Sequence, residues 1–248
     1  MYTLGGFYAY FKLEEDKGVG ERSLTNCELL KDVLNIKETV SNFKFIVEPN
    51  GKLQTRQMLA ILVVATLATG PLYGQDGVLY LYTRLQFNWN EIDFSIFGGY
   101  CSVIHTIGNC CVLAIFSKWL QYDDAILGAV ASISKICAGI AYIMANTVLW
   151  FYISALLDIP VIVAIIASRS IITKLVLEKD LGKITSLFGI AESIGALICA
   201  PMYSSIFKAT IDTFPGLFYV AGISLSVPAV LIFLWLYTKR KARYPLEV

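Results

Sequence analysis

The sequence predicts an all-α membrane protein with six transmembrane helices. Its 248 residues are 56% hydrophobic and only 16% charged, whereas a soluble globular chain carries about 25% charged residues. The mean hydropathy is +0.64. About 20 apolar residues are needed to cross the hydrocarbon core as a helix, and backbone in lipid must satisfy its own hydrogen bonds, so apolar runs of this length indicate a helical bundle. The six runs cover residues 58–82, 92–116, 125–145, 147–168, 184–207 and 215–237.

Composition and motifs exclude several other classes. A formal net charge of +1 supplies no basic surface for nucleic acid. The six cysteines are too few for a secreted disulfide scaffold, and a single histidine with no C-x-x-C pair argues against a zinc site. The chain has no phosphate-binding glycine loop, no His-Glu-x-x-His and no dinucleotide glycine motif. We therefore expect neither an enzyme nor a bound cofactor or metal.

The basic residues predict how the spans are oriented. Seventeen of them precede the first span, lie in the even-numbered connections or follow the last span, whereas only Arg84 and Lys208 lie in the odd-numbered connections. Cytoplasmic segments carry the excess of lysine and arginine. The distribution therefore places both termini in the cytoplasm.

Polar segments flank the bundle at residues 1–57 and 238–248, so the transmembrane bundle is expected over residues 58–237. Within the first segment, Thr25 and Glu28 match a helix-capping box, and apolar residues follow at helical spacing. An amphipathic helix is expected there, either as a linker resting on the bundle or as a partner-binding element.

Six ionisable residues fall at membrane depth, where each costs about 2.5–3.5 kcal/mol and so requires a partner or a wet cavity. They are Asp76, His105, Lys135, Asp158, Arg169 and Glu192. Lys135 and Asp158 lie at matching depth on consecutive antiparallel spans, which predicts either a buried ion pair or groups with a transport role. His105 is either a helix-packing residue or a proton carrier.

The other candidates also have two interpretations. Arg169 is either an interface anchor or a carboxylate-binding residue, while Lys174 is expected to be an anchor. Glu192 lies between two glycines, where a helix or a solute can approach closely, and Asp76 follows the Gly70-Pro71 break. Such breaks in several spans favour a conduit that changes shape.

Several segments resemble a known family. They are residues 169–176, 178–183, 186–192, 201–203 and 209–216, including Ser186-Leu187-Phe188-Gly189-Ile190-Ala191-Glu192. They are similar to the last three helices of the solute carrier family that contains the proton-coupled folate transporter and the thymic stromal cotransporter, within the major facilitator superfamily. The similarity runs from about Lys52 to Tyr237.

The resemblance implies that the chain is the second half of a twelve-helix major facilitator fold, with the N-terminal six-helix half missing. It implies a proton-linked carrier of a small organic anion, folate-like or otherwise amphipathic, in the plasma or an endolysosomal membrane. Arg169, Asp76 and Asp158 are then the expected substrate-binding residues, and Glu192 and His105 the expected proton-coupling residues.

The chain also departs from the family. The folate transporter's histidine in helix seven has no counterpart near Leu72, and the basic loop between helices eight and nine is reduced over residues 117–124. An alternative function therefore stays open: a non-transporting six-helix membrane protein that pairs with or regulates a full carrier.

Overall fold

The computed structural model describes residues 52–114, 123–176 and 180–239, which form helices joined by short connections. The helices are α1 (Lys52–Phe87), α2 (Glu91–Ala114), α3 (Asp124–Met144), α4 (Val148–Leu157), α5 (Val161–Lys174), α6 (Leu181–Thr210) and α7 (Leu217–Thr238). The amphipathic helix expected after Thr25 and most of the basic tail lie outside the described residues. The prediction of an all-helical protein is confirmed for the described part of the chain.

Five helical stretches in the described ranges are long and apolar enough to cross a membrane, with α4 and α5 counted together as Val148–Lys174. The second predicted span forms α2, whose 24 residues are long enough to cross but are interrupted by polar side chains such as His105 and Asn109. A multi-pass membrane protein is therefore confirmed. That α2 is a further membrane span stays a prediction.

Side chains near the helix starts explain where α2, α3 and α4 begin. Asn90 Oδ1 accepts hydrogen bonds from the backbone N–H groups of Ile92 and Asp93, both 2.9 Å long. Asp123 caps α3 through Ala125 N, and the Thr147 side chain accepts from Trp150 N at the start of α4. Each cap satisfies a backbone donor that the first turn leaves without a partner.

Proline has different effects in different helices. Pro160 separates α4 from α5, and Asp158 is the C-cap of α4, so the fourth apolar run contains a real break in the helix. Pro71 and Pro201 lie inside continuous helices. The sequence-based expectation that α1 is interrupted at Gly70-Pro71 is therefore wrong, because a membrane bundle tolerates the one lost backbone hydrogen bond.

The backbones of α1 and α6 touch at a pair of glycines. A Cβ atom added to Gly195 would lie 2.7 Å from the Thr66 carbonyl oxygen, and one added to Gly70 would lie 2.5 Å from Cys199 Sγ. The Thr66 hydroxyl also donates to the Ala191 carbonyl at 3.1 Å. Small residues allow this close crossing, which is a common way for membrane helices to associate.

The bundle has two clusters of buried side chains. One is mainly aliphatic and includes Ile61, Ile171 and Leu187. The other is rich in aromatic rings, with Tyr142 and Phe151 at its centre, and their ring centroids lie 4.9 Å apart. Such ring contacts add to the stabilisation from apolar burial.

Candidate functional site

A cavity of about 640 Å³ lies among the helices and is lined by all six ionisable residues that the sequence analysis identified. Asp76 comes from α1, His105 from α2 and Lys135 from α3. Asp158 comes from the end of α4, Arg169 from α5 and Glu192 from α6. The sequence analysis paired only Lys135 with Asp158, and the fold brings all six residues to one cavity.

The cavity walls combine these charges with apolar surface. Phe94 and Phe97 of α2 and Ile162 and Ile165 of α5 contribute apolar side chains. Pockets of this kind, mostly apolar with a few convergent polar groups, are typical sites for small molecules. The cavity can therefore accept an amphipathic solute that carries both charged and apolar groups.

Lys135 and Asp158 form a buried ion pair, which is one of the two arrangements that their spacing predicts. Lys135 Nζ lies 3.2 Å from Asp158 Oδ1, and the two side chains are only 10% and 12% exposed. The ammonium also donates to Gln75 Oε1 at 2.8 Å. Sequence reasoning missed Gln75, because an amide carries no charge to mark it as costly at membrane depth.

This three-residue group ties together α1, α3 and the break between α4 and α5. A buried ammonium must have its charge and its N–H groups satisfied, and Asp158 and Gln75 provide both. Removing either partner would leave a buried charge without compensation. Lys135 is thus held in place at the cavity wall.

Arg169 and Glu192 form a second ion pair at the cavity. Arg169 Nη2 lies 2.5 Å from Glu192 Oε2, and the side chains are 53% and 19% exposed. The guanidinium also lies over the Phe188 ring, 5.1 Å from its centroid, where the ring face attracts a cation. The two residues expected to bind substrate and to carry protons are therefore in direct contact.

Sequence spacing contained a signal for this second pair. Arg169 and Glu192 are 23 residues apart on consecutive antiparallel helices, the same separation as Lys135 and Asp158. The sequence analysis paired only the first two. The same depth argument, applied to the next connection, identifies the second pair.

Asp76 differs from the other carboxylates of the cavity. Its side chain is exposed, and it makes no hydrogen bond or ion pair with any described residue. The neighbouring Gly77 has open space where a Cβ would lie. Asp76 lines the cavity without a direct partner among the described residues, but Lys135 and His105 interact with its carboxylate electrostatically from a greater distance.

His105 is half-buried, and its Nε2 atom is buried without a hydrogen-bond partner among the described residues. One turn further on, Gly108 of α2 approaches the Ile159 side chain closely. Within the described ranges, no group of three histidine, cysteine, aspartate or glutamate residues is arranged to hold a metal ion.

Lys174 was expected to be a simple interface anchor, but the structure gives it a partner. Its Nζ lies 2.7 Å from Asp124 Oδ2, and the Ser170 hydroxyl donates to the same oxygen at 2.7 Å. These contacts join the start of α3 to the end of α5. Replacing Lys174 would therefore disturb a contact between α3 and α5, so a Lys174 variant is not a suitable control for variants of Arg169.

Comparison with known proteins places the chain close to membrane transporters. No protein-family model matches it. It is 28% identical over 173 residues to the probable peptidoglycan muropeptide transporter SLC46 of Drosophila melanogaster, which covers 67% of this chain and 33% of the relative. It is 22% identical over 182 residues to solute carrier family 46 member 2 of Mus musculus, which covers 73% of this chain and 37% of that protein.

The matched region thus spans only about a third of the length of these curated relatives. Both relatives are named as a transporter or solute carrier, and neither name describes an enzyme. Together with the apolar helices, this similarity supports a multi-pass membrane protein of the transporter class that resembles the SLC46 carriers.

Proposed function

We propose that this chain is one six-helix half of a proton-linked secondary carrier for a small organic anion, folate-like or another amphipathic carboxylate. The observation that carries this proposal is the ion pair between Arg169 and Glu192 at the wall of the cavity. A proton site and an anion site in contact can exchange one ligand for the other.

The coupling works through competition for one guanidinium. When the Glu192 carboxylate is ionised, it accepts a hydrogen bond from the Arg169 guanidinium and forms an ion pair with it. A proton taken up by Glu192 removes its negative charge and weakens its hold on Arg169. A carboxylate of the solute then takes its place, because the planar fork of arginine fits a carboxylate through two parallel hydrogen bonds. One proton and one carboxylate enter together, and the net charge around Arg169 stays the same.

The surroundings of this pair support such an exchange. Half of the Arg169 side chain is exposed, so a solute can reach it, and the guanidinium also lies over the Phe188 ring. The remaining charged groups facing the cavity are Asp76 from α1 and the mutually paired Lys135 and Asp158, with His105 of α2 as a further titratable group. His105 is the second candidate for proton transfer.

In this proposal α2 also crosses the membrane, which brings the number of spans to six. Its 24 residues correspond to about 36 Å of helix, enough to cross the hydrocarbon core. Ser102 and His105 line the cavity, so the polar residues that lower its hydropathy face the solute path. A second six-helix half closes the cavity, and rocking of the two halves exposes it alternately to each side. We place both termini in the cytoplasm and the carrier in the plasma or an endolysosomal membrane.

Replacement of Glu192 by glutamine tests the coupling. Glutamine keeps the size of the side chain but carries no charge at any pH, so it resembles the protonated state. In cells expressing the complete gene product, Glu192→Gln is expected to keep folate exchange while net uptake loses its increase at acidic pH. Tracer uptake and exchange across pH, with surface abundance measured in parallel, provide the readout.

Glu91→Gln is the matched control, because Glu91 is an exposed carboxylate at the start of α2 and does not line the cavity. It should leave the pH profile unchanged. A normal pH profile for Glu192→Gln at normal surface abundance would remove Glu192 from the mechanism.

A further inference from the structure

A second, much smaller pocket lies where α1, α3, α5 and α7 meet. Lys135 and Val161 line both this pocket and the central cavity, so the two spaces are neighbours. The volume of the small pocket is about 20 Å³, and about 10–15 Å³ of such volume is enough to hold one water molecule. The pocket is therefore too small for an organic solute but large enough for a single water molecule.

Pro71 leaves a backbone acceptor without its usual partner at this pocket. In an α-helix each N–H donates to the carbonyl four residues earlier, and proline has no N–H. The carbonyl of Leu67, in the middle of α1, therefore loses its donor, and both residues line the pocket. The hydroxyls of Thr66 and Thr69 donate to other carbonyls. Because an unsatisfied carbonyl in a membrane bundle is costly, Leu67 needs a donor from elsewhere.

Two buried serines add further acceptors to the pocket. Ser132 of α3 donates its hydroxyl hydrogen to the Gly128 carbonyl at 2.8 Å, and Ser226 of α7 donates to the Gly222 carbonyl at 2.9 Å. Both serines line the pocket. A hydroxyl has one hydrogen and two lone pairs, so each serine oxygen can still accept a hydrogen bond. With the Leu67 carbonyl, the described residues present three acceptor oxygens to one small space.

The charges around the pocket determine what can occupy it. An anion would meet three acceptor oxygens, and the N–H groups of Lys135 are already bonded to Gln75 and Asp158. A metal ion or an ammonium ion would lie beside the Lys135 ammonium and be repelled, while Asp158 does not line this pocket to compensate for the added charge. A water molecule is neutral and has two O–H donors, so it fits both the charge and the acceptors.

We propose that the pocket is a binding site for one structural water molecule. The water donates one hydrogen bond to the Leu67 carbonyl and the other to the hydroxyl oxygen of Ser132 or Ser226. It replaces the N–H group that Pro71 lacks, so α1 continues through the proline without a break. Its second hydrogen bond links α1 to α3 or α7. This site does not depend on which solute the protein transports.

A structure of the complete gene product by electron cryomicroscopy, at about 2 Å resolution, tests the site directly. A density peak is expected about 3 Å from the Leu67 carbonyl oxygen and at a similar distance from the oxygen of Ser132 or Ser226, as in an ordinary hydrogen bond. A map that resolves water molecules in the central cavity but has no peak in this pocket would overturn the proposal.

Thermal unfolding of the purified protein in detergent tests the role of the water. The double variant Ser132→Ala/Ser226→Ala removes both serine partners of the water. Ser168→Ala is the matched control, because Ser168 is a buried serine that donates to its own helix at 2.8 Å but does not line the pocket. The double variant should lower the unfolding temperature by about 2–4 °C more than twice the effect of Ser168→Ala, which corresponds to one lost hydrogen bond.

Adding Pro71→Ala to these variants tests the link between the water and the proline. Alanine restores the N–H group, so the Leu67 carbonyl regains a partner within α1 and no longer needs the water. The additional loss of the double serine variant should then fall below about 1 °C. An additional loss that Pro71→Ala leaves unchanged, or no additional loss in the first place, would show that the serines act independently of the Leu67 carbonyl, and either result would overturn the proposal.

Discussion

Burial determines which charged side chains of the cavity can act on a solute. Lys135 and Asp158 are about nine-tenths buried, whereas the Arg169 side chain is 53% exposed. Breaking a buried pair leaves an uncompensated charge and is strongly unfavourable, but an exposed pair contributes little and exchanges partners easily. The two ion pairs therefore have different roles: the first fixes the helices, and the second can release its arginine.

Replacement of Arg169 tests the anion site at the residue scale. Arg169→Ala removes both the charge and the forked donor, so uptake of folate should fall by about tenfold or more. Arg169→Lys keeps the charge but not the fork and should fall between alanine and wild type. The measurement is the initial rate of tracer uptake, corrected for surface abundance.

The control for this prediction is Lys208→Ala, because Lys208 is exposed and does not line the cavity. It should have no effect on uptake. Similar mild losses for the Arg169 and Lys208 variants would leave Arg169 with a role in topology alone.

The crossing of α1 and α6 dominates the structure at the scale of the elements. These helices carry Asp76 and Glu192, and their backbones meet directly at Gly70 and Gly195. The distance between the two carboxylates across the cavity therefore depends on a contact that only glycine permits.

An alanine at this crossing should separate the helices. The added methyl group of Gly195→Ala would lie 2.7 Å from the Thr66 backbone oxygen, which cannot move aside as a flexible side chain could. Overpacking of this kind costs about 1–3 kcal/mol. We expect a lower thermal unfolding temperature of the purified protein in detergent.

Gly189→Ala provides the matched control on the same helix, because nothing lies within 4 Å of its Cβ position. It should unfold at the wild-type temperature or slightly above. Equal unfolding temperatures for the two variants would mean that the crossing adjusts to the extra methyl group.

The sequence predicted features that depend on spacing along the chain and missed those that depend on packing. Helical periods and apolar length indicated the spans, and antiparallel depth indicated the contact between Lys135 and Asp158. Gln75 was missed because its role exists only once α1 lies beside α3. Proline alone did not distinguish Pro160, where the helix breaks, from Pro71, where it continues, since neighbouring helices decide whether the lost hydrogen bond can be tolerated.

The helices place the candidate groups in one cavity, and α2 and α6 also carry exposed apolar side chains. Leu197 is 76% and Ile198 58% exposed on α6, and Ile92 is 69% exposed on α2. Lipid tails are as apolar as these side chains, so contact with lipid and contact with a second helical bundle are both suitable environments for them. In the proposed carrier, a second six-helix half covers the open side of the cavity.

Orientation in the membrane is testable at the scale of the whole molecule. Arg84 lies in the last turn of α1 and Lys208 in the last turn of α6, and both belong to the sparsely charged side of the bundle. Ser186 lies near the start of α6, at the opposite end of that helix from Lys208. The positive-inside rule then places the first two positions outside and Ser186 inside.

Cysteines introduced singly at these three positions, after the native cysteines are replaced by serine, are treated with a membrane-impermeant thiol reagent in intact cells. Arg84→Cys and Lys208→Cys should be labelled, and Ser186→Cys should be labelled only after the membrane is permeabilised. The exposed side chains of all three positions make accessibility to the reagent depend on the side of the membrane. If Ser186→Cys were labelled in intact cells while Arg84→Cys required permeabilisation, the bundle would have the opposite orientation, and protons would enter the cavity from the other compartment.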